Sequence, residues 1–368
     1  MNQPCGLYIH IPFCTSKCLY CDFYSKAQNR EEIDRYVVNM QKMIQLYSKI
    51  YPNKIFDTIY IGGGTPSVIG TENLISIITK ASECFNITSD TEITIEMNPR
   101  SAQTIDFKKL ANCKVNRISL GVQSANENEL KLLGRTHCNI DVTNAVNMIR
   151  NAGINNISLD LMVGISQQTE SSLIDSMDFC IKQKPTHISA YILKVEENTP
   201  YKKLAPKLNL PDDDKQAELY TIMQMYLEEK GYKQYEISNF AQNGFESRHN
   251  LKYWNCDEYL GLGASAHSLM NRKRFYFPRD MQSFYNNKVI EDGIGATANE
   301  YIMLRLRLAE GLVFSNYENF FGSVPERCID VAKKYKKYGL TNINEKGISL
   351  TKKGFLVSNS IIAEMLES

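Results

Sequence analysis

Short apolar segments alternate with longer amphipathic segments through the first two-thirds of the chain. The apolar segments have the length and composition of β-strands, and the amphipathic ones repeat apolar residues on one helical face. One such face carries Ile33, Val37, Met40, Ile44 and Tyr47. Alternation of this kind is typical of successive βα units around a parallel sheet. The predicted strands are residues 7–12, 58–61, 91–96, 117–121, 157–161, 187–192 and 235–238.

Two further helices of this part have predicted ends. The first has Asp141 as its predicted N-cap and Gly153 as its predicted stop. The second carries apolar residues at 219, 222, 223, 226 and 227 and is predicted to end at Gly231. Both helices fit the βα alternation.

Polar and glycine residues gather where the predicted strands end. Three cysteines follow the first strand, a glycine run (62–64) follows the second, and Glu96, Gln123 and Asp160 stand at later strand ends. In a parallel (β/α) barrel the strand ends on one face carry the chemistry. The sequence therefore predicts an α/β fold with a parallel barrel and a site assembled from many strands.

The pattern changes after about residue 290. A helix at about 297–310, a helix near 326–338, a hairpin at 344–349 and a last helix together resemble a winged helix. Arg327 and seven lysines face only three acidic residues between 325 and 354. This excess of positive charge is compatible with a surface that binds nucleic acid or an acidic partner. A solvated lysine-rich helix face is favoured, because base-reading arginines are absent there.

Composition describes an ordinary globular protein and excludes several classes. The 368 residues are 43% hydrophobic and 23% charged, with 42 basic against 41 acidic side chains, so net charge indicates neither nucleic acid nor a membrane surface. No apolar stretch reaches the roughly 20 residues that span a bilayer. The first residues lack the basic and apolar regions of a signal peptide. The ten cysteines are therefore expected to be reduced thiols in the cytoplasm.

Three of those cysteines, Cys14, Cys18 and Cys21, lie within eight residues and have no fourth cysteine or histidine nearby. Structural zinc sites and standard cubane clusters are closed by four protein ligands. A set of three suits a [4Fe–4S] cluster that leaves one iron open. The alternatives are a zinc knuckle that uses a distant ligand, or three ordinary buried thiols.

At this run the sequence resembles the radical S-adenosylmethionine enzymes. The neighbouring motifs are similar to those of the family of oxygen-independent coproporphyrinogen III oxidase and its relative, the haem chaperone HemW. This resemblance implies a partial (β/α)6 TIM-like barrel (1–245), a connecting segment (246–290) and a small helical, winged-helix-like C-terminal domain of that family (291–368). The matching motifs are residues 8–14, 62–67, 96–99, 117–124, 134–135, 158–160, 235–241 and 259–268.

The resemblance also implies the cofactors and the residues that bind them. S-adenosylmethionine chelates the open iron in that family and is split by one electron from the cluster. Bare backbone at the glycine run would approach the methionine end, Arg135 would receive the carboxylate, and Glu96 the amino group. A phosphate-binding loop is excluded, because the run lacks the Gly-Lys-Ser/Thr ending. The cofactor-binding residues implied are Tyr8, Tyr20, Gly63, Gly64, Thr65, Glu96, Gln123, Arg135 and Asp160, with Cys14, Cys18 and Cys21 as metal ligands.

Two features favour the haem chaperones within this family. The oxidase usually has a further cysteine where this chain has Phe23, and residues 249–254 match a His-Asn-x-x-Tyr-Trp signature associated with haem binding. His249 could ligate the iron of haem b, and Tyr253 and Trp254 could stack on the macrocycle. The alternative is a histidine hydrogen-bonded in the core beside an aromatic pair.

Three functional hypotheses follow. The leading one is a haem chaperone that passes haem to apo-cytochromes or respiratory enzymes, with no catalytic residue assigned. The second is an oxidase that decarboxylates the propionates of coproporphyrinogen III in porphyrin biosynthesis. The third is an enzyme that holds RNA with its basic C-terminal region. The resemblance also implies an electron donor such as flavodoxin or ferredoxin, and it leaves a homodimer open.

Overall fold

A computed structural model describes residues 3–27 and 29–367, and parallel β-strands form its centre. Most predicted strands recur with longer bounds. The strands are β1 (Cys5–Ile11), β2 (Phe13–Cys14), β3 (Lys26–Ala27), β4 (Ile55–Gly63), β5 (Asn86–Met97), β6 (Arg117–Gln123), β7 (Asn156–Val163), β8 (His187–Ile192), β9 (Lys233–Glu236), β10 (Asn239–Ala241), β11 (Tyr259–Leu262), β12 (His267–Met270), β13 (Lys273–Tyr276), β14 (Ile290–Ile294), β15 (Leu312–Val313), β16 (Thr341–Asn344) and β17 (Gly347–Leu350).

Helices follow most of the central strands and cover the sheet. They are α1 (Arg30–Ile50), α2 (Thr71–Cys84), α3 (Pro99–Ala102), α4 (Phe107–Asn112), α5 (Glu127–Leu132), α6 (Asn139–Asn151), α7 (Glu170–Lys182), α8 (Pro200–Leu204), α9 (Asp213–Glu229), α10 (Arg248–Trp254), α11 (Met281–Tyr285), α12 (Ala298–Arg305), α13 (Phe314–Phe321), α14 (Glu326–Lys336), α15 (Lys352–Leu356) and α16 (Ser358–Leu366). Among the described residues, no helix combines the length and apolar character needed to cross a bilayer.

The strand order explains the barrel-like centre. In the described residues one sheet has the order β14-β13-β12-β11-β1-β4-β5-β6-β7-β8-β10-β9. Strands β1 and β4 to β8 pair in parallel, and β11 adds a further parallel strand beside β1. Six parallel strands with covering helices are the predicted partial (β/α)6 barrel, so the fold prediction is confirmed. The chain from 246 to 290 contributes α10 and β11 to β13 to this assembly, and the predicted boundaries at 245 and 290 stay predictions.

The helical faces follow the apolar pattern, but one predicted cap is wrong. All five apolar positions predicted for the inner face of α1 are buried. Helix α6 begins at Asn139 with Cys138 as its N-cap, three residues before the predicted cap Asp141. Asp141 is the N3 residue, and its carboxylate accepts the N–H of Cys138 at 3.0 Å. An acidic N3 residue reaching back to the cap forms half of a capping box, which explains the misplacement.

The C-terminal region has the predicted helix, helix and hairpin order. Strands β16 and β17 form the hairpin, β15 joins β17 in a three-stranded antiparallel sheet, and α13 is a further helix that was not predicted. The region is joined to the barrel at β9, where the N–H of Ile237 donates to Arg307 O and the N–H of Ala309 donates to Tyr235 O. On α14, Lys333 and Lys334 are exposed and paired with acidic neighbours. This agrees with a solvated lysine-rich face.

Candidate functional site

A cavity of about 1410 Å³ lies inside the curved parallel sheet. We call its end at the carboxyl ends of the strands the rim and its end at their amino ends the floor. Typical small-molecule sites measure roughly 300–1,000 Å³, so this cavity has room for more than one ligand. It brings together most of the predicted residues. Those that line it are Tyr8, Cys14, Cys18, Tyr20, Cys21, Gly63, Gly64, Thr65, Glu96, Gln123, Arg135, Asp160 and Tyr253.

The cysteine loop (residues 14–25) forms one side of the rim, between β1 and α1. Cys14 is buried, Cys18 and Cys21 are partly buried, and all ten cysteines, each within the described residues, are free. Burial raises the pKa of Cys21, and the charges of Cys18 and Cys14 raise it further. The three thiols are thus close enough for their charges to interact. A thiol that coordinates a metal is deprotonated. The positive charge of iron would offset the repulsion between the resulting thiolates.

The available ligand side chains also indicate whether a single metal ion or a cluster fits this site. Among the described residues, no group of three or more histidine, cysteine or acidic side chains is placed to hold one metal ion. A cubane cluster does not require such a group, because each of its cysteines ligates a separate iron. Three free thiols on one wall of a cavity fit a cluster with an open iron.

The glycine run bonds to the backbone that leads into the cysteine loop. The N–H groups of Gly64 and Thr65 donate to Ile11 O and Phe13 O, each at 2.8 Å. A Cβ on Gly64 would lie 2.6 Å from Phe13 O. Gly63 has φ +108° and packs against the ring of His10. Close contact with the protein's own backbone therefore accounts for glycine here, and approach to a ligand stays a prediction.

Two partly buried carboxyl groups face the middle of the cavity. Glu96 accepts hydrogen bonds from Tyr60 OH at 2.6 Å and from the N–H of Gly63 at 3.1 Å. Burial raises its pKa to about 7, so it is partly protonated at neutral pH. Asp160 accepts hydrogen bonds from Ser119 and Ser158, and burial raises its pKa as well. Glu96 can therefore either accept a hydrogen bond from a ligand or donate one to it.

Arg135 and Gln123 meet above Gly121 at the rim. Arg135, which lies between α5 and α6, donates to Tyr20 OH at 2.8 Å, and this links that segment to the cysteine loop. Gln123 has φ +66°, a left-handed conformation that costs a non-glycine residue about 1 kcal/mol. A Cβ on Gly121 would lie 2.9 Å from Nε2 of Gln123 and 3.1 Å from an Arg135 nitrogen. Strain of this kind clusters at ligand-binding sites.

Helix α10 closes the floor and places the haem-associated motif there. His249 is 1% exposed, and its ring stacks on Tyr60 with centroids 5.1 Å apart. Its Nδ1 is bonded to Thr58 Oγ1 and its Nε2 to Tyr253 OH, both at 2.8 Å. Burial lowers its pKa to about 3, so the imidazole is neutral.

This environment is that of a hydrogen-bonded core histidine. His249 does not line the cavity, and neither does Trp254, which is partly buried. Tyr253 does line it and covers Nε2 of the imidazole. A haem ligand at His249 would therefore require the Tyr253 hydroxyl to move away, and the haem role of the motif stays a prediction.

Several cavity residues were not singled out from the sequence. Arg117, Ser119, Tyr60, Ser189 and Tyr191 all line the cavity. Arg117 and Ser119 precede Gln123 by six and four residues on β6, so period-two alternation puts all three on one face. That alternation was the signal that could have identified them.

Comparisons with known proteins agree with this geometry. Residues 8–180 match the family model of the radical SAM superfamily, and residues 296–357 match that of the HemN C-terminal domain. The chain is 32% identical to a protein of Lactococcus lactis over 382 aligned positions (100% of this chain, 98% of the relative). It is 34% identical to one of Bacillus subtilis over 374 positions (98% of each). Both relatives carry the name heme chaperone HemW.

A solved structure matches the fold over nearly the same extent. The coproporphyrinogen III oxidase HemN of Escherichia coli, described as a radical SAM enzyme, superposes with a TM-score of 0.84. The match covers 99% of this chain and 90% of that one, at 21% identity. At this identity the likeness shows the fold alone, including its C-terminal domain.

Proposed function

Because this chain belongs to the HemW family of radical SAM proteins, we propose that it binds haem and delivers it to haem-dependent proteins. The observation that carries the proposal is identity of 32% to 34% with relatives named heme chaperones, over 98% or more of both chains. Membership of the superfamily implies a [4Fe–4S] cluster and S-adenosylmethionine. The cluster supplies one-electron chemistry at an open iron.

This chain's own residues fit those cofactors at the rim. Cys14, Cys18 and Cys21 would hold the cluster, since they are free thiols on one wall of the cavity. Glu96 and Arg135 offer a carboxyl group and a guanidinium to the two charged groups of the methionine part. Gln123 and Asp160 offer hydrogen-bonding groups for ribose, and Tyr8 and Tyr20 offer aromatic faces.

Haem would be held towards the floor, where the motif of α10 meets the cavity. The buried His249 is neutral, and the neutral imidazole is the form that ligates a metal. Displacement of the Tyr253 hydroxyl would free Nε2 for iron, and Tyr253 itself already lines the cavity.

We further propose flavodoxin or ferredoxin as electron donor and haem-dependent proteins as acceptors. We also propose a cytoplasmic location, and the ten free cysteines support this location.

A haem titration tests this proposal. We expect His249→Ala to lower haem affinity by about tenfold or more, since it removes the axial ligand. His187→Ala is the matched control, because His187 is also buried with both nitrogens bonded, to Ser158 and Tyr235. Absorption spectroscopy measures haem binding in each titration. Equal haem affinity of the His249→Ala and parent proteins would show that His249 is not a haem ligand.

The oxidase is tested by turnover. Reconstituted protein is incubated without oxygen with S-adenosylmethionine, a reductant and coproporphyrinogen III, and products are separated by chromatography. We expect the substrate to be recovered unchanged. Formation of protoporphyrinogen would overturn the chaperone proposal in favour of the oxidase.

A further inference from the structure

Arg117 is a buried arginine for which the described residues supply no hydrogen-bond or ion-pair partner. It is the first residue of β6 and lines the cavity at its floor, and its side chain is 1% exposed. Its Nε is buried without a hydrogen-bond partner, and among the described residues its guanidinium forms no ion pair. A buried group left without partners is costly, and in native structures it requires an explanation such as a missing ligand.

A second buried arginine shows that the fold can satisfy such a group. Arg305 is 5% exposed and donates from Nε to Gly311 O at 3.2 Å. Its remaining nitrogens bond to the side chains of Asn255 and Glu310. Every branch of this guanidinium thus has an acceptor, whereas Arg117 has its positive charge directed at a cavity.

The nearby carboxylates do not supply the missing acceptors. Glu96 accepts hydrogen bonds from Tyr60 and Gly63 instead, and Asp160 accepts them from Ser119 and Ser158. The charge of Arg117 lowers the pKa of both carboxyl groups, but neither one bonds to it. A molecule inside the cavity can therefore supply an acceptor for Arg117.

The position of Arg117 separates it from the cysteine loop. Gln123, six residues further along β6, stands at the rim beside Arg135 and Tyr20. At about 3.3 Å per residue, Arg117 lies roughly 20 Å from that end of the strand. Its charge acts instead on His249 and His187, which are packed at the floor.

We propose that Arg117 binds a carboxylate of the ligand held at the floor, namely a propionate of haem. This inference rests on the function proposed above. A guanidinium is a planar fork that matches a carboxylate with two parallel hydrogen bonds. Haem carries two propionates, and Arg117 would hold one of them.

The experiment compares haem with its dimethyl ester, which has no free carboxylate. Parent protein, Arg117→Gln and Arg117→Lys are titrated with both ligands, and binding of S-adenosylmethionine to the reconstituted proteins is measured alongside. We expect the parent to prefer haem over the ester by about tenfold or more, the effect of a charged hydrogen bond. Arg117→Gln loses this preference, Arg117→Lys keeps part of it, and S-adenosylmethionine affinity stays unchanged.

The control is Arg279→Gln, because Arg279 also lines the cavity but already bonds to Asp22. It is expected to keep the preference for haem. Retention of the full preference in Arg117→Gln, or its absence in the parent, would overturn the Arg117 proposal alone. Loss of S-adenosylmethionine binding instead would assign the carboxylate to that ligand. Absence of haem binding by the parent would overturn the proposed function and this inference with it.

Discussion

At the rim of the cavity, the backbone of the glycine run and the polar groups beside the cysteine loop bond to the protein itself. At the floor, Arg117 has no acceptor within residues 3–27 and 29–367, and Tyr253 covers His249. The hydrogen bonds of the rim are therefore formed within the protein, so a substitution there is expected to disturb the backbone that supports the predicted cluster ligands. The floor is incompletely satisfied, so a change there alters what the cavity can bind. Four predictions test this difference.

The largest effect is expected from a cysteine of the loop. Cys18→Ser should abolish cluster assembly, because two remaining thiolates cannot replace three ligands. The measurement is iron content per chain after oxygen-free reconstitution. Cys138→Ser is the control, since Cys138 is also partly buried but caps α6 away from the loop. Normal iron content in Cys18→Ser would show that the loop does not hold the cluster.

The next effect tests the support beneath the loop. Gly64→Ala places a Cβ 2.6 Å from Phe13 O, so the backbone leading to Cys14 must shift. We expect a loss of about 3 kcal/mol in unfolding free energy and a lower iron content after reconstitution. Gly70→Ala is the control, because its Cβ would meet nothing within 4 Å although its φ is +84°. Equal iron content in both variants would contradict the supporting role.

A smaller effect separates the two buried arginines. Arg305→Met should lower the unfolding free energy by about 2 kcal/mol, because Gly311 O and Asn255 lose their donor. Arg117→Met should leave the unliganded protein equally stable or more stable, because it removes an unpartnered buried charge. Urea unfolding of both variants measures the difference. A similar loss in the two would mean that Arg117 has partners within the protein.

The smallest effect concerns pH. The pKa of Glu96 is raised from 4.5 to about 7 in the folded protein, so the folded state holds a proton that the unfolded state has released. The contribution of Glu96 to stability is therefore complete below pH 4.5 and is lost as pH rises towards 7. Glu96→Gln should flatten the fall in unfolding free energy between pH 5 and 7.5. An unchanged slope would contradict the raised pKa.

The rim was predictable because its signals are local. The cysteine spacing, the glycine run and the residues at strand ends each lie within a few positions, and the parallel order brings them together. The floor depends on pairing between distant strands and on a helix packed beneath them. The sequence motif singled out His249, but its bonds to Thr58 and Tyr253 follow from that packing.

The elements that were not predicted from the sequence also depend on distant parts of the chain. Strands β11 to β14 have four or five residues each and show little alternation, so partners from elsewhere in the sheet decide their conformation. Arg117 heads a predicted strand, yet nothing local indicates that its neighbours lack a free acceptor. Satisfaction of a buried group is a property of the assembled fold.

Strand β1 leads directly to the cysteines and lies between β4 and β11 in the sheet. Its contact with the start of β11 joins Cys5 to Glu258, 253 residues away along the chain. The strand that leads to the cysteines is thus held on one side by β4, which follows soon after it, and on the other side by the distant β11. A substitution that loosens β11 is therefore expected to disturb the strand that leads to the cysteines, although it lies far from them in the sequence.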